Sequence, residues 1–243
     1  NLELYGNHVT EVNPDDGAGE SFTVLGTSSA VALTSLLGQG GSDTTTVGNQ
    51  RADFGTVPDG TLDNIRGAVS FVGGSGPADT LNVDDSGDAD PDVARIDDEA
   101  TFPGLFGPYR TTLTGFAPAT ISYTYDNTPG VNRALEFVNI RAGQGGNTIA
   151  VNATTAAMAT TLDAGIGNDS RTVTIAGDLL SAANRFTGNS GNDRFVLNVT
   201  SDLGDSAAWA ITSLRIEGNT DSGFGVVAFD QRDRLQINDS AGF

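Results

Sequence analysis

A short unit recurs along this chain and limits the folds open to it: a Gly-x-Gly turn, then Asn, Ser or Asp, then residues that alternate apolar with polar. Six copies are legible. The first half holds Gly17-Ala18-Gly19-Glu20-Ser21-Phe22-Thr23-Val24, Gly40-Gly41-Ser42-Asp43-Thr44-Thr45-Thr46-Val47 and Gly74-Ser75-Gly76-Pro77-Ala78-Asp79-Thr80-Leu81-Asn82-Val83. The second half holds Gly143-Gln144-Gly145-Gly146-Asn147-Thr148-Ile149-Ala150-Val151, Gly165-Ile166-Gly167-Asn168-Asp169 and Asn189-Ser190-Gly191-Asn192-Asp193-Arg194-Phe195-Val196-Leu197. Ser21 and Asn147 lie 126 positions apart, as do Asp43 and Asp169, whereas Asp79 and Asp193 lie 114 apart. The first half therefore carries an insertion near Arg51 to Leu62. A weaker copy, Asp233-Arg234-Leu235-Gln236-Ile237, echoes Asp79-Thr80-Leu81-Asn82-Val83 near the end.

Self-similarity at a fixed short period is the mark of stacked repeats. The turn returns after 22 residues from Gly143 to Gly165 and after 24 from Asp169 to Asp193. That length accommodates two or three strands of about five residues with their turns, and successive strands would stack in parallel about 4.8 Å apart. Phe22–Leu25, Leu81–Val83, Thr172–Ile175 and Phe195–Val199 have the period-two alternation of half-buried strands. Glycine suits the corners because it adopts positive φ freely, and Asn and Asp tolerate it. The expectation is an all-β chain built as a parallel β-helix, a β-solenoid with coils of about 22 residues.

One stretch breaks the repeat. Asp84 to Asp92 is acidic, with Asp97-Asp98-Glu99 following, and Phe102 to Tyr125 brings prolines and aromatics. The chain therefore divides into residues 1–83 as a first repeat unit, 84–134 as an irregular loop excursion with a return strand at Ile121–Tyr125, and 135–243 as a second unit. Leu2 and Leu4 at one end, and Leu235 and Ile237 at the other, fall in strand-like patterns, which fits excision from a longer array.

Charge narrows the partners. The net charge is −19, and all 12 basic residues are arginine. A polyanion would be repelled, and the Lys/Arg patches that displace counterions from phosphate are missing, so nucleic acid is not an expected partner. Anionic membranes are disfavoured for the same reason, and no run of about 20 apolar residues is present to insert in a bilayer. Cysteine is absent, which removes disulfides and thiolate metal sites. Excess carboxylate suits a hard divalent cation.

The turn-plus-strand unit, above all Gly165-Ile166-Gly167-Asn168-Asp169 and Gly73-Gly74-Ser75-Gly76-Pro77-Ala78-Asp79-Thr80-Leu81, resembles the glycine-aspartate repeat of RTX-type calcium-binding proteins. The alternation of such turns with the stretch Leu81 to Asp88 is similar to repeats in giant secreted bacterial surface proteins of the adhesin or filament type. Each unit here has one glycine-aspartate turn, and Ser21 and Asn147 stand where the pattern has Asp. The resemblance implies calcium as cofactor, held at the turns by Asp43, Asp79, Asp169 and Asp193. A second candidate group, Asp84, Asp85 and Asp88 with Asp90 and Asp92, lies in the acidic stretch.

These readings make the chain an extracellular or cell-surface structural segment of a larger protein, a calcium-responsive spacer, filament or surface-layer component that associates with itself or with neighbouring repeats. Two other classes compete. An adhesin or glycan-binding module would use the aromatic stretch, with Tyr109 and Tyr123 as contacts to surface glycans. A β-helical polysaccharide lyase would need a base beside a bound uronate. The single histidine, His8, has no nucleophile motif beside it, and no lysine exists to serve. The chain is therefore not expected to be an enzyme.

Overall fold

A computed structural model describes residues 2–3, 19–38, 40–49, 59–74, 76–100, 108–126, 135–152, 158–175, 184–189, 191–199, 214–217 and 234–239. Among them are seventeen strands, numbered in chain order, that form two sheets. The first sheet holds eight: β1 (Leu2–Glu3), β2 (Ser21–Val24), β4 (Thr44–Val47), β6 (Thr80–Asp84), β10 (Phe137–Arg141), β12 (Ala159–Asp163), β14 (Asn184–Thr187) and β16 (Leu214–Glu217), in that spatial order. Every pairing in it is parallel. The second holds nine: β3 (Leu33–Leu37), β5 (Ala68–Val72), β9 (Ile121–Asp126), β8 (Pro108–Thr114), β7 (Val93–Ala100), β11 (Thr148–Val151), β13 (Ser170–Ile175), β15 (Arg194–Val199) and β17 (Arg234–Asp239). No helix among the described residues is long and apolar enough to cross a membrane.

The chain is all-β, but the expected parallel β-helix is corrected. The second sheet is mixed, because β8 runs antiparallel to both β7 and β9. Within the segment read as a loop excursion, β7 and β8 are strands that pair with each other, and the return strand expected at Ile121–Tyr125 is β9, which pairs with β8. Their effect is geometric. In the first sheet β6 pairs directly with β10, while between those two strands the chain deposits β7, β8 and β9 in the second sheet. One turn of a uniform coil would leave a single strand there. The surplus of two strands widens the second sheet by about 9–10 Å at normal strand spacing, so the sheets cannot rise rung for rung. Spacing departs from 22 as well: acceptor contacts between successive turns span 23, then 36, then 57 residues in the first sheet.

The core lies between the sheets and is built in register. Val24, Val47, Val83, Ile140, Leu162 and Phe186 follow one another across the first sheet, each the direct partner of the next and all buried. On the second sheet Val69, Ile121, Leu113, Ile96 and Val151 do the same, crossing the antiparallel strand without a break. Alternation places them: β5 and β12 read half-buried, buried, half-buried along their length, as a period of two requires. Stacked β-branched and aromatic residues one strand apart are the unit of sheet stabilisation.

Glycine is demanded at the turns of the second half. Gly167 and Gly191 have φ of +147° and +146°, and a Cβ on Gly191 would collide with the carbonyl oxygen of Gly167, as one on Gly167 would with that of Gly145. The three form a column in which each backbone seats on the one below.

Candidate functional site

The turn aspartates read from sequence as calcium ligands are buried and hold backbone. In the second sheet the N–H of Asp92 donates to Asn147 Oδ1 (2.9 Å), that of Asn147 to Asp169 Oδ1 (2.8 Å), and that of Asp169 to Asp193 Oδ1 (3.0 Å). In the first sheet the N–H of Glu20 donates to Asp43 Oδ1 (2.7 Å), that of Asp43 to Asp79 Oδ1 (2.9 Å), and that of Asp79 to Glu136 Oε2 (2.6 Å). Asp79 Oδ2 also accepts from Gly74 N (2.7 Å). Each sheet thus carries, just before its strands begin, a column of side chains that satisfies the first N–H of the neighbouring turn. Donors left at a strand end need such partners when buried. Asn147 does the same work as its Asp neighbours, so the position requires an acceptor oxygen rather than a charge.

The two halves of the sequence repeat place these columns in different sheets. Asp43 precedes β4 in the all-parallel sheet, whereas its counterpart Asp169 precedes β13 in the mixed one. The position equivalent to Asn147 is Asp92, since Val93 pairs with Thr148. No glycine motif precedes Asp92, and for that reason the repeat alone does not mark it.

The acidic stretch separates into two environments. Asp84, at the end of β6, is fully buried: its Oδ2 accepts from Asn49 Nδ2 at 2.5 Å and lies 3.7 Å from the Arg141 guanidinium, while its Oδ1 caps the N–H of Ser86. Its charge is matched where it stands. Asp85, Asp88 and Asp92 come together instead, with one carboxylate oxygen from each within 4.8 Å of the others, and among the described residues they are the one such group of three. Sequence reasoning grouped Asp84 with Asp85 and Asp88 because they are close in the chain. The alternation at the end of a strand sends Asp84 and Asp85 to opposite sides.

The cluster sits at the crossing between sheets, after β6 and before β7, on a backbone held from several directions. Asp85 Oδ1 accepts from Leu62 N (2.8 Å), and Gly87 N donates to Gly60 O (2.7 Å). Gln144 N donates to Asp88 O, and Thr148 N to Asp92 O (2.7 Å). The other oxygen of Asp85 and Oδ2 of Asp92 are buried without a hydrogen-bond partner, although the two carboxyls are within reach of each other. Two carboxylates can only accept, so the space between them calls for a proton or a cation. Burial pushes the Asp85 carboxyl up to about 8, with the Asp92 and Asp88 charges adding to the rise and the Leu62 N–H opposing it. Burial also raises Asp92, to about 6; its contact with Asp85 opposes, and the charges of Asp88, Asp63 and Asp90 add. Glu136 is raised by burial, partly offset by the Asp79 N–H it accepts. Three oxygens from hard carboxylates fit calcium chemistry, which takes six to eight oxygen ligands with water completing the shell.

The two tyrosines offered as glycan contacts do not form a surface pair. Tyr123 is fully buried, stacked in register on Phe71 of β5. The backbone of Tyr109 lies in β8, opposite Ala100 and Tyr125; its side chain is outside the described residues, as is His8. The sequence matches no protein-family model, and no curated protein or solved structure is significantly similar to it.

Proposed function

We propose that this chain is a structural segment of a larger extracellular protein, a calcium-responsive spacer, filament or surface-layer component that works by holding its shape. The observation that carries this reading is the pair of acceptor columns. The Asp and Asn side chains of the repeated turns each accept a backbone N–H from one strand to the next, a structural use of the motif. The net charge of −19 and the unmatched carboxylates at the crossing between sheets support the calcium half, since a divalent cation relieves their repulsion. Association with further copies of the same repeat belongs to this reading, since a parallel strand pairs through its backbone with the next strand of the same kind.

Melting followed by circular dichroism in Ca²⁺ and in EDTA tests the calcium half, with a higher midpoint expected in Ca²⁺ and coincident curves counting against it. A product-release screen over uronate and neutral polysaccharides, run beside a glycan array, tests the structural half. Turnover or a saturable glycan signal there would replace it with one of the rival classes.

A further inference from the structure

The structure assigns Asp85, Asp88 and Asp92 as the ligands of one hard divalent cation of the Ca²⁺ class, bound where the chain crosses from the parallel sheet to the mixed one. This deepens the calcium half of the reading above and rests on it, but it moves the ion away from the glycine-aspartate turns. Each turn acid gives an oxygen to a backbone N–H, and among the described residues no three of them converge, whereas the crossing has three carboxylate oxygens within 4.8 Å of one another. Two ligands on opposite sides of one Ca²⁺ stand about 5 Å apart, because each Ca–O distance is 2.3–2.6 Å, so a single ion bridges this spread.

A cluster of acids is common on protein surfaces, and a second observation separates this one. Asp85 is 1% exposed. One of its oxygens is committed to Leu62 N, and the other is buried, has no donor, and belongs to a carboxyl in reach of Asp92, whose Oδ2 is in the same condition. The nearby arginines have acids of their own: Arg95 pairs with Asp97 at 3.2 Å, and Arg141 lies 3.7 Å from Asp84. Asp88 and Asp92 are half-buried, which leaves a solvent side for water ligands. The frame is fixed before any ion arrives: the backbone of residues 85, 87 and 88 is hydrogen-bonded to that of Arg141, Gly60 and Gln144, the Asp85 carboxylate accepts the Leu62 N–H, and the Asp92 N–H donates to the Asn147 side chain. A bound ion would therefore fasten the end of β6, the start of β7 and the turn that leads into β11 at one point.

The test is calorimetric titration of the whole chain with CaCl₂ and, separately, MgCl₂, together with melting in Ca²⁺ and EDTA, for wild type, Asp88→Asn, Asp92→Asn and Asp43→Asn. The inference expects one Ca²⁺ per chain at this position, weaker Mg²⁺ binding, and at least a tenfold loss of Ca²⁺ affinity in Asp88→Asn and Asp92→Asn. Those two variants should melt in EDTA at or above the wild-type midpoint, because removing a charge relieves repulsion, yet gain nothing from Ca²⁺. Asp43→Asn, in a turn column, should keep the Ca²⁺ increment. If wild type responds to Ca²⁺ and both crossing variants respond equally, the assignment is overturned while the calcium-responsive reading stands. If wild type itself binds no Ca²⁺, both fall.

Discussion

Asp169 accepts the backbone N–H of Asn147, 22 residues upstream, at 2.8 Å, and both side chains are buried. Removing the acceptor leaves a buried donor unsatisfied, which costs about 1–3 kcal/mol. Asp169→Ala is expected to lose stability in that range in urea unfolding. Asp169→Asn should lose well under half as much, because Asn147 fills the equivalent place one strand earlier, taking the N–H of Asp92. Equal losses in the two variants would mean that the charge, not the acceptor oxygen, is what the column needs.

Gly167 carries the backbone approach on which the turn column depends. An alanine there meets the Gly145 carbonyl and must hold a φ of +147°. Strained positions of this kind cost about 1–3 kcal/mol, and the collision adds to it. The denaturation midpoint of Gly167→Ala should fall by more than that of a control such as Ile166→Ala, whose side chain is exposed.

The pH dependence of the metal-free protein has a definite sign. Asp85 and Asp92 titrate at about 8 and about 6 in the folded chain, above their ordinary value of 3.8, so the folded state binds more protons than the unfolded state between these limits. Stability from these groups is therefore complete below about pH 4 and is lost as pH rises through 6 and 8. In EDTA the melting temperature should climb as pH falls from 8.5 to 5.5, and Asp85→Asn should flatten that slope. A melting temperature that drops over this interval in wild type would contradict the environment described for the pair.

Arg141 stands 3.7 Å from the fully buried Asp84. Replacing one partner strands a buried charge, which is more damaging than replacing both. Arg141→Ala should destabilise by about 1–3 kcal/mol, and adding Asp84→Asn to it should recover part of the loss. A double-mutant cycle in urea measures the difference.

Much of the strand content was legible because the alternation in Phe22–Val24, Leu81–Val83 and Phe195–Val199 has a period that only a half-buried strand satisfies. Glycine marked the turns for a reason the column Gly145, Gly167 and Gly191 makes physical. The parallel coil was not borne out, because Val93–Ala100 carries Asp97, Asp98 and Glu99 and reads as solvated loop; its pairing with β8 is long-range and overrides local composition. The turn acids were recognised as special, but a buried acceptor and a metal ligand need the same residue types, and only the N–H groups facing them distinguish the two. Asp92 was visible as one acid among several, and its approach to Asp85 depends on the turn that the Asp88 N–H closes on the Asp85 carbonyl, which no periodicity encodes.

The reversed strand β8 has a consequence for how such a chain can change in length. Its neighbours β7 and β9 point the same way as β5 and β11, so an added hairpin contributes two strands and leaves the direction of everything downstream untouched. Within this meander, one further antiparallel strand would leave the chain running the wrong way to return to β10, whereas elsewhere each turn of the chain adds a single parallel strand to each sheet. Between β7 and β9, insertions of even strand number are thus the ones this architecture can absorb, so length variation at this place should come in whole hairpins.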